Sequence, residues 1–178
     1  DAVSTDPNIV MLKCMKKLLA QRKLYSVEGT PPQTIVSVET WGKILSWFGP
    51  LQNLTDEVPR TELLQNMVNI LSQAWFHGDI SAEKAEAALS GPDDHTFLIR
   101  FSSQMGVFTL SMMTPERKIK HKRIQHYFNG VNAYFVFNEN EYPTLHHLVA
   151  DNGFNRPCPG SKYAKIFQNG EVGGYDNE

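Results

Sequence analysis

An arginine lies inside the apolar heptapeptide Thr96-Phe97-Leu98-Ile99-Arg100-Phe101-Ser102, and its charge is the first thing this chain must account for. Phe97, Leu98, Ile99 and Phe101 form the near-continuous apolar run expected of a strand covered on both faces. A guanidinium stays charged, and burying it without a partner is costly. No carboxylate lies within the strand, so Arg100 must meet a distant Asp or Glu, snorkel from a sheet edge, or receive an anion from outside. A planar guanidinium can grip two oxygens of one phosphate at once, which an ammonium cannot. Ser102 lies two residues on, on the same face of the strand, where its hydroxyl can donate to the same anion. His121 and Arg123 are also two apart and project to one face of another strand. Plainer roles stand beside these: turn chemistry for Ser102 and Ser103, and a core histidine satisfied by the backbone for His121.

The elements that would position these groups follow in a definite order. Trp75-Phe76-His77-Gly78-Asp79-Ile80-Ser81 runs into Ala82-Glu83-Lys84-Ala85-Glu86-Ala87-Ala88-Leu89; the arginine strand comes next, then strands over Val107–Met112 and Ile119–Ile124. Tyr142-Pro143-Thr144-Leu145-His146-His147-Leu148-Val149 then opens a second helix. In this order the motifs resemble those of the SH2 family. The resemblance implies an α+β fold in which a central antiparallel sheet is flanked by two helices, here behind a helical N-terminal module. It implies a non-catalytic module of intracellular signalling that binds tyrosine-phosphorylated peptides or proteins. Arg100, Ser102, Ser103, His121 and Arg123 would surround the phosphotyrosine. Ser103 and Gln104 begin the loop that resembles the family's phosphate-wrapping loop, whose backbone N–H groups add donors. Lys122, Asn138 and Glu141 would set peptide specificity, with Lys122 facing the residue after phosphotyrosine and segments 138–141 and 154–162 framing a distal pocket. One departure stands out: Ala82 takes the place of a basic residue that many members carry on the first helix, which removes one contact to the phosphotyrosine ring.

Upstream, Ile9, Met11, Leu12, Met15, Leu18 and Leu19 recur at helical spacing within 8–24, and Val38 to Phe48 reads as a second helix closed by Gly49-Pro50. A third is expected to open at Pro59 and to carry Leu63, Leu64, Met67, Ile70 and Leu71 on one stripe. These stripes are core-forming faces, and they divide the chain into a helical linker-like module (1–74), the SH2-like domain (75–168) and a tail (169–178). The juxtaposition resembles the linker-SH2 arrangement of signal transducers and activators of transcription. It also resembles the degenerate EF-hand module before the SH2 domain of Cbl-type ubiquitin ligases, and amoebal kinases with an SH2 domain. The first comparison implies transcription regulation, a nuclear as well as cytoplasmic location and a phosphorylation-dependent homodimer. Tyr175, in the acidic tail, would be the phosphorylated residue. Asp56 and Glu57 lack calcium-loop spacing, so no calcium is expected.

Composition narrows the remaining classes. Hydrophobic residues make up 41% of the 178 and aromatics 11%, enough for a packed core rather than a disordered chain. A net charge of −2 does not advertise nucleic-acid binding. The basic run Arg117, Lys118, Lys120, Lys122, Arg123, with Tyr127 and Phe128, is a solvated face that could also steer an anion, and nucleic acid is the less favoured partner. There is no apolar run long enough for a membrane span. No leader is read and the chain does not open with Met, so a piece of something longer is expected. Two cysteines, Cys14 and Cys158, make no disulfide framework and fit a reduced, cytoplasmic setting. His146-His147 point roughly 100° apart on a helix with no ligands to complete a metal set, so they are read as ordinary helix positions. No phosphate-cradling glycine loop, acid–base pair or triad is present, and no cofactor is expected.

Overall fold

The apolar runs become the middle of a six-stranded sheet. The computed structural model describes residues 9, 12, 14, 15, 18, 21–22, 34–35, 37–50, 62–91, 95–130 and 132–169. A short antiparallel pair, β1 (Gln21–Arg22) and β2 (Thr34–Ile35), comes first. Next are α1 (Val38–Phe48), α2 (Glu62–Leu71), β3 (Phe76–Gly78), α3 (Ala82–Leu89), β4 (Phe97–Phe101) and β5 (Val107–Met113). The chain continues through β6 (Ile119–Phe128), β7 (Ala133–Phe137), β8 (Asn140–Tyr142), α4 (Leu145–Asp151) and α5 (Lys162–Asn169). Strand order in the large sheet is sequential, β3 to β8, antiparallel throughout except for the parallel β3–β4 pair. The sheet and its flanking helices agree with the α+β expectation, with α5 as an additional helix.

Local chemistry explains the helix starts. Ser37 caps α1 by accepting from the Thr40 N–H, Ser81 caps α3 through the Lys84 N–H, and Thr144 caps α4 through the His147 N–H. The expected helix over Val38–Phe48 forms with those bounds. The third forms over Glu62–Leu71, while Pro59 lies outside the described residues. Residues 9, 12, 14, 15 and 18 are helical, but the helical spacing over 8–24 does not hold to its end: Gln21 and Arg22 form β1, where backbone pairing with Thr34–Ile35 replaces helical bonds.

Side chains alternate across β4, so its two faces have different fates. Phe97, Ile99 and Phe101 enter one large cluster with Phe108, Leu110 and Ile124 of the neighbouring strands, Phe48 of α1, Met67 of α2 and Leu148 of α4. The helical module and the sheet therefore share a core. Leu98 turns the other way, into a small cluster with Ala85 and Leu89 of α3 and Cys158. The outer edge of β4 is satisfied in two pieces. Ile99 N–H donates to Trp75 O at 2.7 Å; further along, Phe97 N–H reaches Arg156 O at 3.0 Å and Cys158 N–H reaches Phe97 O at 2.7 Å. Ser161 and Tyr163 then fold α5 over β3, with Ser161 Oγ donating to Phe76 O at 2.6 Å. Gly78, at φ +67°, lies against the Tyr163 ring where any Cβ would collide.

Candidate functional site

Directly opposed residues of paired strands share a face, and two such rows cross the α3 side of the sheet. One runs Gly78, Arg100, Thr109, Arg123; the other runs Leu98, Ser111, His121. Where α3 begins, a cavity of about 560 Å³ opens, to whose wall Ala82 brings only a methyl group and Asp79 a carboxylate. Arg100, Ser102, Ser103, His121, Lys122 and Arg123, all singled out from sequence, line it together. Ser81, Ala82 and Thr109 complete much of its wall. Thr109 escapes the sequence reading because the two hydroxyls in the apolar run Val107–Met113 read as strand positions; its two-residue phase with Ser111 is the available signal.

Arg100 is half-buried, and its contacts are sparse. Its Nη1 donates a long 3.4 Å hydrogen bond to Phe101 O, and its buried Nε has no hydrogen-bond partner. Among the described residues no carboxylate forms an ion pair with it. Burial pushes the guanidinium pKa down, and the fields of Glu83 and Glu86 act weakly against that shift; the group remains a cation. Those two acids are engaged elsewhere. The Ser81 hydroxyl and the backbone N–H of Glu83 hold the Glu83 carboxyl below its ordinary range. Glu86 Oε1 meets His121 Nε2 at 3.1 Å. A carboxylate only accepts, so Nε2 carries the proton, and in the neutral ring Nδ1 accepts from the Ser111 hydroxyl at 2.8 Å. His121 is thus a fixed wall of the cavity.

The loop after β4 is closed tightly. Ser102 N–H donates to Val107 O at 3.0 Å, Val107 N–H to Gln104 O at 3.3 Å, and Gln104 N–H to Ser102 Oγ at 3.2 Å. Arg123 stands exposed on the rim. Lys122 touches the cavity, but it pairs with Leu110 and its ammonium lies beyond the other face of the sheet. It sits 5.5 Å from the Phe137 ring centroid and 3.3 Å from Asn138 Oδ1. Asn138 therefore joins Lys122, whereas Glu141 is exposed on β8 and lines neither cavity named here. Phe154, from the loop expected to frame a distal pocket, borders a second cavity of about 440 Å³ with Phe97, Met112 and Arg156. Tyr175 lies outside the described residues. His146 and His147 are exposed helix positions, with His147 Nδ1 2.8 Å from Thr144 Oγ1. Among the described residues no group of His, Cys, Asp and Glu is arranged to hold a metal, and no helix is long and apolar enough to cross a membrane.

A half-buried arginine in an open cavity between a capped helix and a central sheet defines an anion-binding module. Residues 75–151 match the family model of the SH2 domain, and the SH2 domain is a non-catalytic, phosphotyrosine-binding module of signalling. The chain is 30% identical to the dual specificity protein kinase shkA of Dictyostelium discoideum, over 99% of this chain and 33% of the relative. It is 37% identical to shkC of the same organism, over 84% of this chain and 28% of the relative. The solution structure of a Monosiga brevicollis CRK/CRKL homolog SH2 domain aligns with 49% of this chain and 88% of that one, at 22% identity and a TM-score of 0.44. The chain spans about a third of the length of the two kinases it matches. These relatives correct the comparisons with signal transducers and activators of transcription and with Cbl-type ligases, neither of which is supported. The transcriptional role and the homodimer lose their basis with them. Amphipathic helix stripes misled here because they report burial, not ancestry; the kinase comparison is the one in which the relatives fall.

Proposed function

We propose that the cavity above Arg100 takes the phosphotyrosine side chain of a peptide, with the guanidinium as its anchor. The observation that carries this reading is that Arg100 lines an open cavity of about 560 Å³ with its Nε unsatisfied and, among the described residues, no carboxylate paired with it. A phosphotyrosine brings about −1.5 to −2 charge and three strong acceptor oxygens, which supply what that donor lacks. The Ser102 and Ser103 hydroxyls and the Ser103 N–H add donors, and Arg123 and His121 bound the ring and the rim. Lys122, held over Phe137 beside Asn138, supports a preference for an acidic residue after the phosphotyrosine; Glu141 has no contact that supports its part in specificity. The relatives support a kinase domain elsewhere in the full protein, with this module directing it to phosphorylated partners in the cytoplasm.

Ala82 favours a second reading, a scaffold that has lost its ligand, because α3 puts no cation over the cavity and Glu83 and Glu86 add negative field. Calorimetric titration with a phosphotyrosine peptide and its unphosphorylated twin separates the two. The leading reading expects heat only from the phosphopeptide, abolished in Arg100→Ala. No heat from either peptide with the wild type would establish the scaffold, and equal heat from wild type and variant would remove Arg100 as the anchor.

A further inference from the structure

We infer that the end of α1 is part of the phosphate-binding apparatus, with Ser46 and Trp47 as positioning residues for the loop 102–107. The inference rests on the phosphotyrosine reading above and goes beyond it, because α1 lies outside the segment that matches the SH2 family model. Ser46 and Trp47 grip both stems of the loop. Ser46 Oγ accepts from Gly106 N–H at 3.1 Å and donates to Lys43 O at 2.7 Å, so the hydroxyl is satisfied twice. Trp47 Nε1 donates to Val107 O at 3.0 Å, the same carbonyl that closes the loop by accepting from Ser102 N–H. The Trp47 ring stacks on Phe101, centroids 4.1 Å apart and planes at 28°, immediately before Ser102. Ser46 O accepts from His126 Nδ1 at 3.0 Å, and His126 N–H in turn donates to Gly106 O at 3.0 Å.

The loop's own hydrogen bonds join its residues to one another, so among the described residues only the contacts from α1 and β6 tie it to the rest of the domain. Ser103, Gln104 and Met105 are exposed, and Gly106 sits at φ +68°. A loop left to order only when phosphate arrives would lose conformational entropy at that moment and weaken binding. With its stems held from outside, Ser102 and Ser103 are already in place on the cavity wall. The side chains of α1 never touch the ligand; they act through the loop.

Phenyl phosphate, which fills the phosphate pocket without touching the specificity surface, is the probe, titrated by NMR into the chain of residues 1–178. Wild type is expected to shift the Arg100 Nε–H and the Ser102 and Ser103 amides. Ser46→Ala should bind roughly threefold to tenfold more weakly and exchange its Gly106 amide faster, from the loss of one neutral hydrogen bond. Ser46→Thr, which keeps the hydroxyl, should restore both. Trp47→Phe, which keeps the ring over Phe101 but loses the donor, should also weaken binding, and it carries the test if the alanine variant does not fold. A Ser46→Ala protein that melts earlier yet binds phenyl phosphate as wild type does, while Arg100→Ala binds none, would overturn this inference alone. Wild type that ignores phenyl phosphate would overturn the phosphotyrosine reading and this one with it.

Discussion

The two faces of the sheet are built from the same strands and do opposite things. On the side of α1, α2 and α4, Phe48, Phe76, Phe101 and Phe108 meet edge-to-face or tilted, with centroids 5.2 to 6.4 Å apart, and close the space between them. On the α3 side, the apolar contacts reduce to Leu98, Ala85, Leu89 and Cys158, and beside them a row of polar groups is left in the open. The difference teaches how a marginally stable domain can hold a partly desolvated, unpaired cation. The stabilisation is concentrated on the aromatic face, so the other face is free to be chemically incomplete.

The sharpest way to break this division is at Arg100. Arg100→Ala should lower phosphopeptide affinity by roughly two orders of magnitude or more, from two charge-assisted hydrogen bonds of about 1.5–3 kcal/mol each, read by calorimetry. The variant should unfold no earlier than wild type, because a buried unsatisfied donor goes with the side chain. A thermal scan showing marked destabilisation would mean that the arginine belongs to the core after all. Phe108→Ala is the converse. It removes a fully buried ring that touches Phe48, Phe76, Phe101 and Phe135, and should cost about 3–5 kcal/mol in denaturant unfolding.

A smaller effect concerns pH. Burial lowers the pKa of His77 and of His126 below 6.5, partly offset by their hydrogen bonds to Cys158 O and Ser46 O. The unfolded chain therefore binds protons that the folded chain resists. Stability is full above about pH 6.5 and is lost as the pH falls from there through the folded pKa values. Urea midpoints measured from pH 7.5 to 5 should fall, and a double His→Gln variant at these positions should flatten the curve. The smallest expected change is at Glu86. Glu86→Gln keeps a hydrogen-bond acceptor for His121 while removing one negative charge whose field reaches Arg100, so phosphopeptide affinity should rise about twofold, less at high salt. A fall in affinity would show that the carboxylate is needed to hold His121 upright.

Much of the site was legible because strand geometry has a period of two: Arg100 with Ser102, and His121 with Arg123, needed only that rule to be placed on shared faces. The elements themselves were legible where caps and stripes coincide, as in Ser37 before α1 and Ser81 before α3. Glu86 was not, since nothing local distinguishes it from Glu83 on the same helix; its role appears only when β6 brings His121 to it. Ser46 and Trp47 were hidden more deeply. Their partners Gly106 and Val107 lie 60 residues along the chain, and a serine and tryptophan near a helix end read as ordinary surface and core.

The double closure of the outer β4 edge decides where the fold would bear load. Trp75, where the segment is entered, and Arg156 to Cys158, near where it is left, dock end to end along one strand, and α5 then folds back over β3. The two ends of this segment are therefore held side by side, and a pull between them would load that seam first.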